Sequence, residues 1–263
     1  MRTLLLLPVV AAALTVFGPT HAPATPAPLP MSSVRLADGR ALQIVGELRT
    51  ARTVVVLVPG VDTNAANFDR GLGGVQRRAP AWQARQLLGA ITARGEDRAA
   101  VVAWLGYHPP HGVGLDAARE DLASAGAAAL REFVTRLPGE RIVVVGHSYG
   151  STVAGLAAHG LDHRVTDIVA LGSPGLGVTR AADLHTAAHV WAGTAANDWT
   201  RRVPGVRIAG AGHGAHPYEA GFGATAIPVG GVDGHDGYFV PGTESLWAIA
   251  GLVAGSDAGA QRL

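Results

Sequence analysis

A serine, an aspartate and a histidine stand in chain order at Ser148, Asp198 and His235, each inside a turn-forming segment. A serine hydroxyl is a poor nucleophile at neutral pH. It needs an imidazole to take its proton and an acid to orient that ring. Ser148 is the best marked of the three. It lies in Gly146-His147-Ser148-Tyr149-Gly150, directly behind Ile142-Val143-Val144-Val145 and ahead of Ser151-Thr152-Val153-Ala154-Gly155-Leu156-Ala157-Ala158. A β-branched strand, a G-x-S-x-G turn and a tightly packing helix together lift a serine Oγ out of a sheet for attack on a carbonyl. Gly146 and Gly150 let the strand and the helix approach closely.

The base must be chosen among 11 histidines. His235, in Gly234-His235-Asp236-Gly237-Tyr238-Phe239, follows the final expected strand and precedes the last helix, where such a base belongs. His213 is the next candidate; with His216 it otherwise reads as the wall of a Gly-rich loop. His147 is expected to point away from the nucleophile and to pack or hydrogen-bond locally. Asp198 is the first choice of acid, just beyond the strand ending at Gly193. Asp183 reads as an exposed helix residue, and Asp233 and Asp236 lie too near His235 in sequence to hold its ring from behind. Glu219 stays open. A developing oxyanion needs two backbone N–H donors. Tyr149, at a helix N-terminus, supplies one. The loop Pro59-Gly60-Val61-Asp62-Thr63-Asn64 supplies the other, from Val61 or, second, Asp62. Asn64, Phe68, Tyr107, His108, Tyr149, Pro174, Trp199, Tyr238 and Phe239 are the expected pocket lining, suited to an uncharged or apolar acyl or alcohol group.

The elements that must position these groups follow one another regularly. Two alternating runs flank Asp38-Gly39, a hairpin signal. Apolar strands are expected at 53–58, 99–105, 142–145, 167–172, 189–193 and 225–229. Helices are expected near 81–94, over about 115–136, from 151, near 180–185 and over about 243–254. A hairpin followed by repeated β-α units implies an α/β fold, a mostly parallel central sheet with helices on both faces. Only 173–188 separates two of the strands, which leaves little or no room for a lid.

The chain has 263 residues, enough for one α/β domain at 33–255, and no cysteine. Its 21 basic residues are all arginine, scattered along the chain, and the net charge is +1. No nucleic-acid footprint results. Met1-Arg2, the apolar run Leu4–Phe17 and Ala22-Pro23-Ala24 have the layout of a signal peptide over residues 1–24. That run is shorter than the roughly 20 residues of a spanning helix, so no stable membrane span is expected after cleavage. A Pro/Ala-rich linker at 25–32 and a tail at 256–263 complete the chain. The secreted or cell-envelope compartment follows. No metal site is expected: His213 and His216 lack a third ligand, and Asp62, Asn64 and Asn67 lack the spacing of a calcium loop. No cofactor is expected, since the Gly-x-Gly-Gly at 71–74 does not join a strand to a helix.

Several blocks taken together resemble a known family. They are Gly-His-Ser-Tyr-Gly-Ser-Thr-Val-Ala-Gly at 146–155, Gly-Ser-Pro-Gly-Leu-Gly-Val at 172–178, Ala-Ala-Asp-Leu at 181–184, Val-Trp-Ala-Gly at 190–193, and Gly-His-Asp-Gly-Tyr-Phe with Thr243-Glu244-Ser245-Leu246 behind it. They are similar to an actinobacterial α/β-hydrolase family formerly classed as a domain of unknown function, over about Val54 to Gly255. His108 stands where that family leads one to expect an acidic residue. The resemblance implies the fold and the triad but supplies no substrate. The expectation is an exported serine hydrolase acting on a small ester or lipid-like molecule, with no cofactor. Acyl transfer or amide cleavage on the same triad, and a non-catalytic envelope binding protein, are the alternatives.

Overall fold

The computed structural model describes residues 30–208 and 210–255. The expected signal peptide and tail lie outside the described residues. The strands are β1 (Met31–Arg35), β2 (Ala41–Val45), β3 (Thr53–Val58), β4 (Ala99–Leu105), β5 (Arg141–His147), β6 (Val165–Leu171), β7 (His189–Gly193), β8 (Arg207–Ile208), β9 (Ala211–Gly212) and β10 (Thr225–Ala226). The helices are α1 (Pro80–Ala93), α2 (Leu115–Ala118), α3 (Asp121–Thr135), α4 (Tyr149–Ala157) and α5 (Glu244–Ala254). β1 therefore begins two residues inside the expected linker.

Eight strands form one sheet in the order β1-β2-β4-β3-β5-β6-β7-β10. β2 runs antiparallel to β1 and β4, and the other neighbours are parallel. β3 and β4 are buried at every position, and β5 at every position but its first. Sheet faces covered by helices select unbroken Val, Ile and Ala runs of this kind. β2, beside the edge, keeps the alternation of a half-covered strand, with Ala41, Gln43 and Val45 buried. α1 packs on α5, and α3 on α4. α3 turns Ala123, Gly126, Ala127, Leu130 and Val134 inward, a stripe at helical spacing.

β5 ends in a sharp turn at Ser148, which has φ 54° and ψ −131°. A Cβ on Gly150 would lie 2.1 Å from the Val58 carbonyl oxygen, and one on Gly146 would lie 2.4 Å from the Ser151 Cα. Glycine at both places is what lets α4 start against the ends of β3 and β5.

Two expectations are corrected. The single helix expected over 115–136 is broken. Arg119 is extended (φ −89°, ψ 151°) and bridges to Ala211, while the Glu120 carboxylate takes the Arg207 guanidinium of β8. A tertiary ion pair and a bridge override the helix preference of the Ala-rich sequence. The last strand covers only Thr225–Ala226, followed by a hydrogen bond from the Ile227 N–H to the Ala192 carbonyl (2.8 Å). Between β6 and β7 there is only a short 3-10 turn at Ala181–Leu184. The longer excursion lies between β7 and β10, where β8 and β9 form a small hairpin.

Candidate active site

Ser148 sits at a backbone conformation that costs a non-glycine residue about 1–3 kcal/mol. Several bonds hold it there. Its N–H donates to the Leu171 carbonyl (2.9 Å), and its carbonyl accepts from the Ser151 N–H (2.9 Å) and hydroxyl (2.6 Å). The Ser151 hydroxyl also lies 2.7 Å from that of Ser173, on the loop leaving β6. The elbow is thereby tied to the end of the neighbouring strand.

Asp198 is 3% exposed and begins a 3-10 turn at Trp199–Arg202. Its Oδ1 accepts from the Thr200 N–H (2.8 Å), the Thr200 hydroxyl (2.7 Å) and His235 Nδ1 (2.9 Å). Its Oδ2 accepts from the Tyr238 hydroxyl (2.5 Å). Burial opposes the charged form. The hydrogen bond and charge of His235 outweigh it, with help from Tyr238 and Thr200, and hold this carboxyl well below the usual range. An ionised carboxylate only accepts, so Nδ1 of His235 carries its proton toward Asp198 and Nε2 is the ring nitrogen left free of it.

His235 is clamped between two rings, Trp199 at 4.8 Å and His147 at 4.7 Å between centroids. The Nε2–H of His147 donates to the His235 carbonyl (2.8 Å). Burial, then the neighbouring His235, bring the His147 pKa down to about 4, so this ring is neutral at pH 7. His147 thus packs and hydrogen-bonds as expected, but against the histidine loop 88 residues away rather than locally. Asn197 ties the loops of Asp198 and His235 together: its Oδ1 accepts from the Gly234 N–H (2.9 Å), and its Nδ2 donates to Asp233 (2.9 Å).

The loop after β3 is fixed from several sides. The Tyr107 hydroxyl donates to the Pro59 carbonyl (2.6 Å), Asn67 Nδ2 to the Asp62 carbonyl (2.7 Å), and the Gly112 N–H to Asp62 Oδ1 (2.8 Å). The Asp62 N–H is already given to the Pro110 carbonyl (3.0 Å). That removes it as a free donor and leaves Val61. Tyr149 opens α4, so its N–H has no intrahelical acceptor.

Ser148, His235, Val61 and Trp199 line one cavity of about 460 Å3. His147, Asn197, Asn67, Leu72, Val113, Arg77, Arg78, Asp233 and Asp236 share its wall. Several residues expected at the wall stand elsewhere. Phe68, Tyr107, Pro174, Tyr238 and Phe239 are buried and do not line it. A large ring gains most from full burial, and Tyr107 and Tyr238 still reach partners with their hydroxyls. Tyr149 is buried as well, its hydroxyl on the Arg119 carbonyl (3.2 Å). Asn64 builds the turn through the Ala66 N–H (2.9 Å), and His108 is exposed outside the cavity. The alternatives lie apart. His213 is buried edge-on to Tyr149, Asp183 pairs with Arg180, and Glu219 is exposed. Asp236 pairs with Arg78 (2.6 Å), an ion pair across 158 residues of sequence that no local signal announces.

Residues 36–208 match a family model described as alpha/beta hydrolase. The chain is 30% identical over 256 residues to the uncharacterized protein Rv2079 of Mycobacterium tuberculosis, covering 82% of this chain and 37% of that protein. It is 33% identical over 149 residues to the uncharacterized protein Rv0963c of the same organism, covering 53% of this chain and 54% of that one. The chain therefore spans about a third to a half of the length of these relatives. Among solved structures, a dienelactone hydrolase from Anabaena variabilis is similar in fold, with a TM-score of 0.51 at 16% identity, over 89% of this chain and 100% of that one.

Proposed function

The chain belongs to the alpha/beta hydrolase family, and from that premise we propose that it is an exported serine hydrolase that cleaves carboxylic esters. The observation that carries this reading is the Asp198–His235 pair, whose His235 lines the same cavity as a serine held at a strained turn. Ser148 Oγ attacks the ester carbonyl as His235 Nε2 takes its proton. Asp198 holds the imidazole in the required tautomer and stabilises its charged form. The N–H groups of Val61 and Tyr149 receive the oxyanion. His235 returns the proton to the leaving alcohol, and the acyl group stays on Ser148. Water then attacks that acyl-enzyme, losing its proton to His235, which passes it to Ser148 Oγ as the free acid departs. Export is read from the N-terminal residues alone.

Labelling with a fluorophosphonate tests the reading, with Ser148→Ala beside it and a p-nitrophenyl ester series from acetate to palmitate. The expected result is labelling and turnover that both vanish in the folded variant. A folded wild-type chain that takes no label would overturn the nucleophile. A product that depends on an added acceptor alcohol, in place of free acid, would move the reading to acyl transfer.

A further inference from the structure

Large apolar side chains are exposed in the Ser148 cavity and on the segments that lead away from it. Among the described residues, Leu72, Val113, Leu115, Trp199, Val206 and Ile208 are all substantially exposed, Leu115 at 83% and Ile208 at 71%. Leu72, Val113 and Trp199 line the cavity itself. Leu115 follows Val113 by two residues and opens α2. Arg119, at the far end of α2, bridges to Ala211 of β9, whose partner across the hairpin is Ile208. Val206 directly precedes β8. One apolar rim therefore runs from the cavity, over α2, to the small hairpin. Single exposed hydrophobes are ordinary; a set that runs outward from one cavity marks an interaction surface.

We propose that this rim seats on a lipid surface and that the cavity draws its ester from an aggregated, water-insoluble substrate. The ester part rests on the reading of Ser148 as nucleophile; the seating does not. Three features favour a lipid surface over a protein. The side chains stand on separate loops, a one-turn helix and a hairpin, and a fluid interface closes around each one individually, whereas a protein partner needs a packed complementary core. Arg77 lines the cavity and Arg202 ends the 3-10 turn of Trp199; both are exposed with no acidic partner among the described residues, against one unpaired carboxylate in α2, Asp116, and guanidinium groups placed so meet headgroup phosphates. A protein or second copy seated here would also close over the cavity, while a lipid surface brings its ester along.

The test is co-sedimentation of the full chain with mixed phosphatidylcholine and phosphatidylglycerol vesicles, alongside a Leu115→Ser, Ile208→Ser double variant. Neither residue lines the cavity. Partitioning should fall about tenfold or more in the variant. Hydrolysis of a water-soluble p-nitrophenyl ester and fluorophosphonate labelling should stay as in the wild type. Absence of wild-type binding, or equal partitioning of the variant, would overturn the proposal. So would a wild-type dimer that the double variant abolishes, without vesicle binding, since the face would then belong to a second copy. Vesicle binding that depends on the rim in a chain that takes no fluorophosphonate would uphold the surface and sink the hydrolase reading instead.

Discussion

Asp198 is a buried carboxylate with four donors around it: the Thr200 N–H and hydroxyl, the Tyr238 hydroxyl and His235 Nδ1. A buried charge is tolerable only when satisfied in this way. Tyr238 is the donor supplied from the far side, on the same loop as His235, and its oxygen also accepts from the Ala195 N–H (3.0 Å). Burial, then the adjacent Asp198 charge, push its hydroxyl far above the usual tyrosine range, so it donates throughout the working pH range. Tyr238→Phe removes one of the four donors and leaves the others in place. On the proposed mechanism, kcat/KM should fall by about tenfold with the fold retained. The orphaned Ala195 N–H should lower stability by about 1–2 kcal/mol in a urea titration. Unchanged ester turnover in a folded Tyr238→Phe protein would show that Asp198 does not act through this donor set.

At the scale of the element, the elbow depends on space more than on any bond. With its Cβ 2.1 Å from the Val58 carbonyl oxygen, Gly150→Ala would force α4 away from β3. The cost should be about 1–3 kcal/mol, read as a Tm lowered by roughly 3–10 °C, with slower labelling of Ser148. An unchanged Tm would mean that the helix yields without cost. This element was legible in the sequence because each of its parts carries a local signal: an unbroken β-branched run, two glycines and a small-residue helix. The strands β3, β4 and β7 were legible for the same reason. The break at Arg119 and Glu120 was not, because its cause is the guanidinium of Arg207, 87 residues away in the chain. The two-residue strands β8 and β9 are too short to show a period. The cavity wall was legible only in part. Aromatic side chains were expected to face a ligand, but Phe68, Tyr107 and Tyr238 gain more inside the core. The charged and amide wall of Asn67, Arg77, Arg78, Asn197, Asp233 and Asp236 was set by loops that meet only in the folded chain. The adjacency of Asn197 to Asp198, and of Asp236 to His235, was the one available hint.

Over the whole molecule, every basic side chain is arginine, and arginine stays charged across any working pH. Loss of stability on mild acidification must therefore come from histidines and carboxylates. His147 and His213 are both buried, at 8% and 5% exposure. Burial lowers both pKa values, and the neighbouring His235 lowers that of His147 further, to about 4. An unfolded chain binds a proton at these positions near pH 6.5, while the folded chain resists. The unfolded state thus holds more protons below that point, and stability declines as pH falls from about 6.5 toward 4. Asp198 acts in a lower window. Its depressed folded pKa stabilises the chain above the ordinary carboxylate value, near 3.8, and that contribution is lost only as pH falls below it. A plot of Tm against pH should therefore bend twice, once below about pH 6.5 and again below about pH 4. His147→Gln keeps an N–H donor for the His235 carbonyl but removes the titrating ring. It should flatten the first decline without abolishing it, since His213 remains, and should leave the second bend where it is. A first decline of unaltered steepness in this variant would assign the proton uptake elsewhere and would remove His147 as a buried neutral ring under the histidine loop.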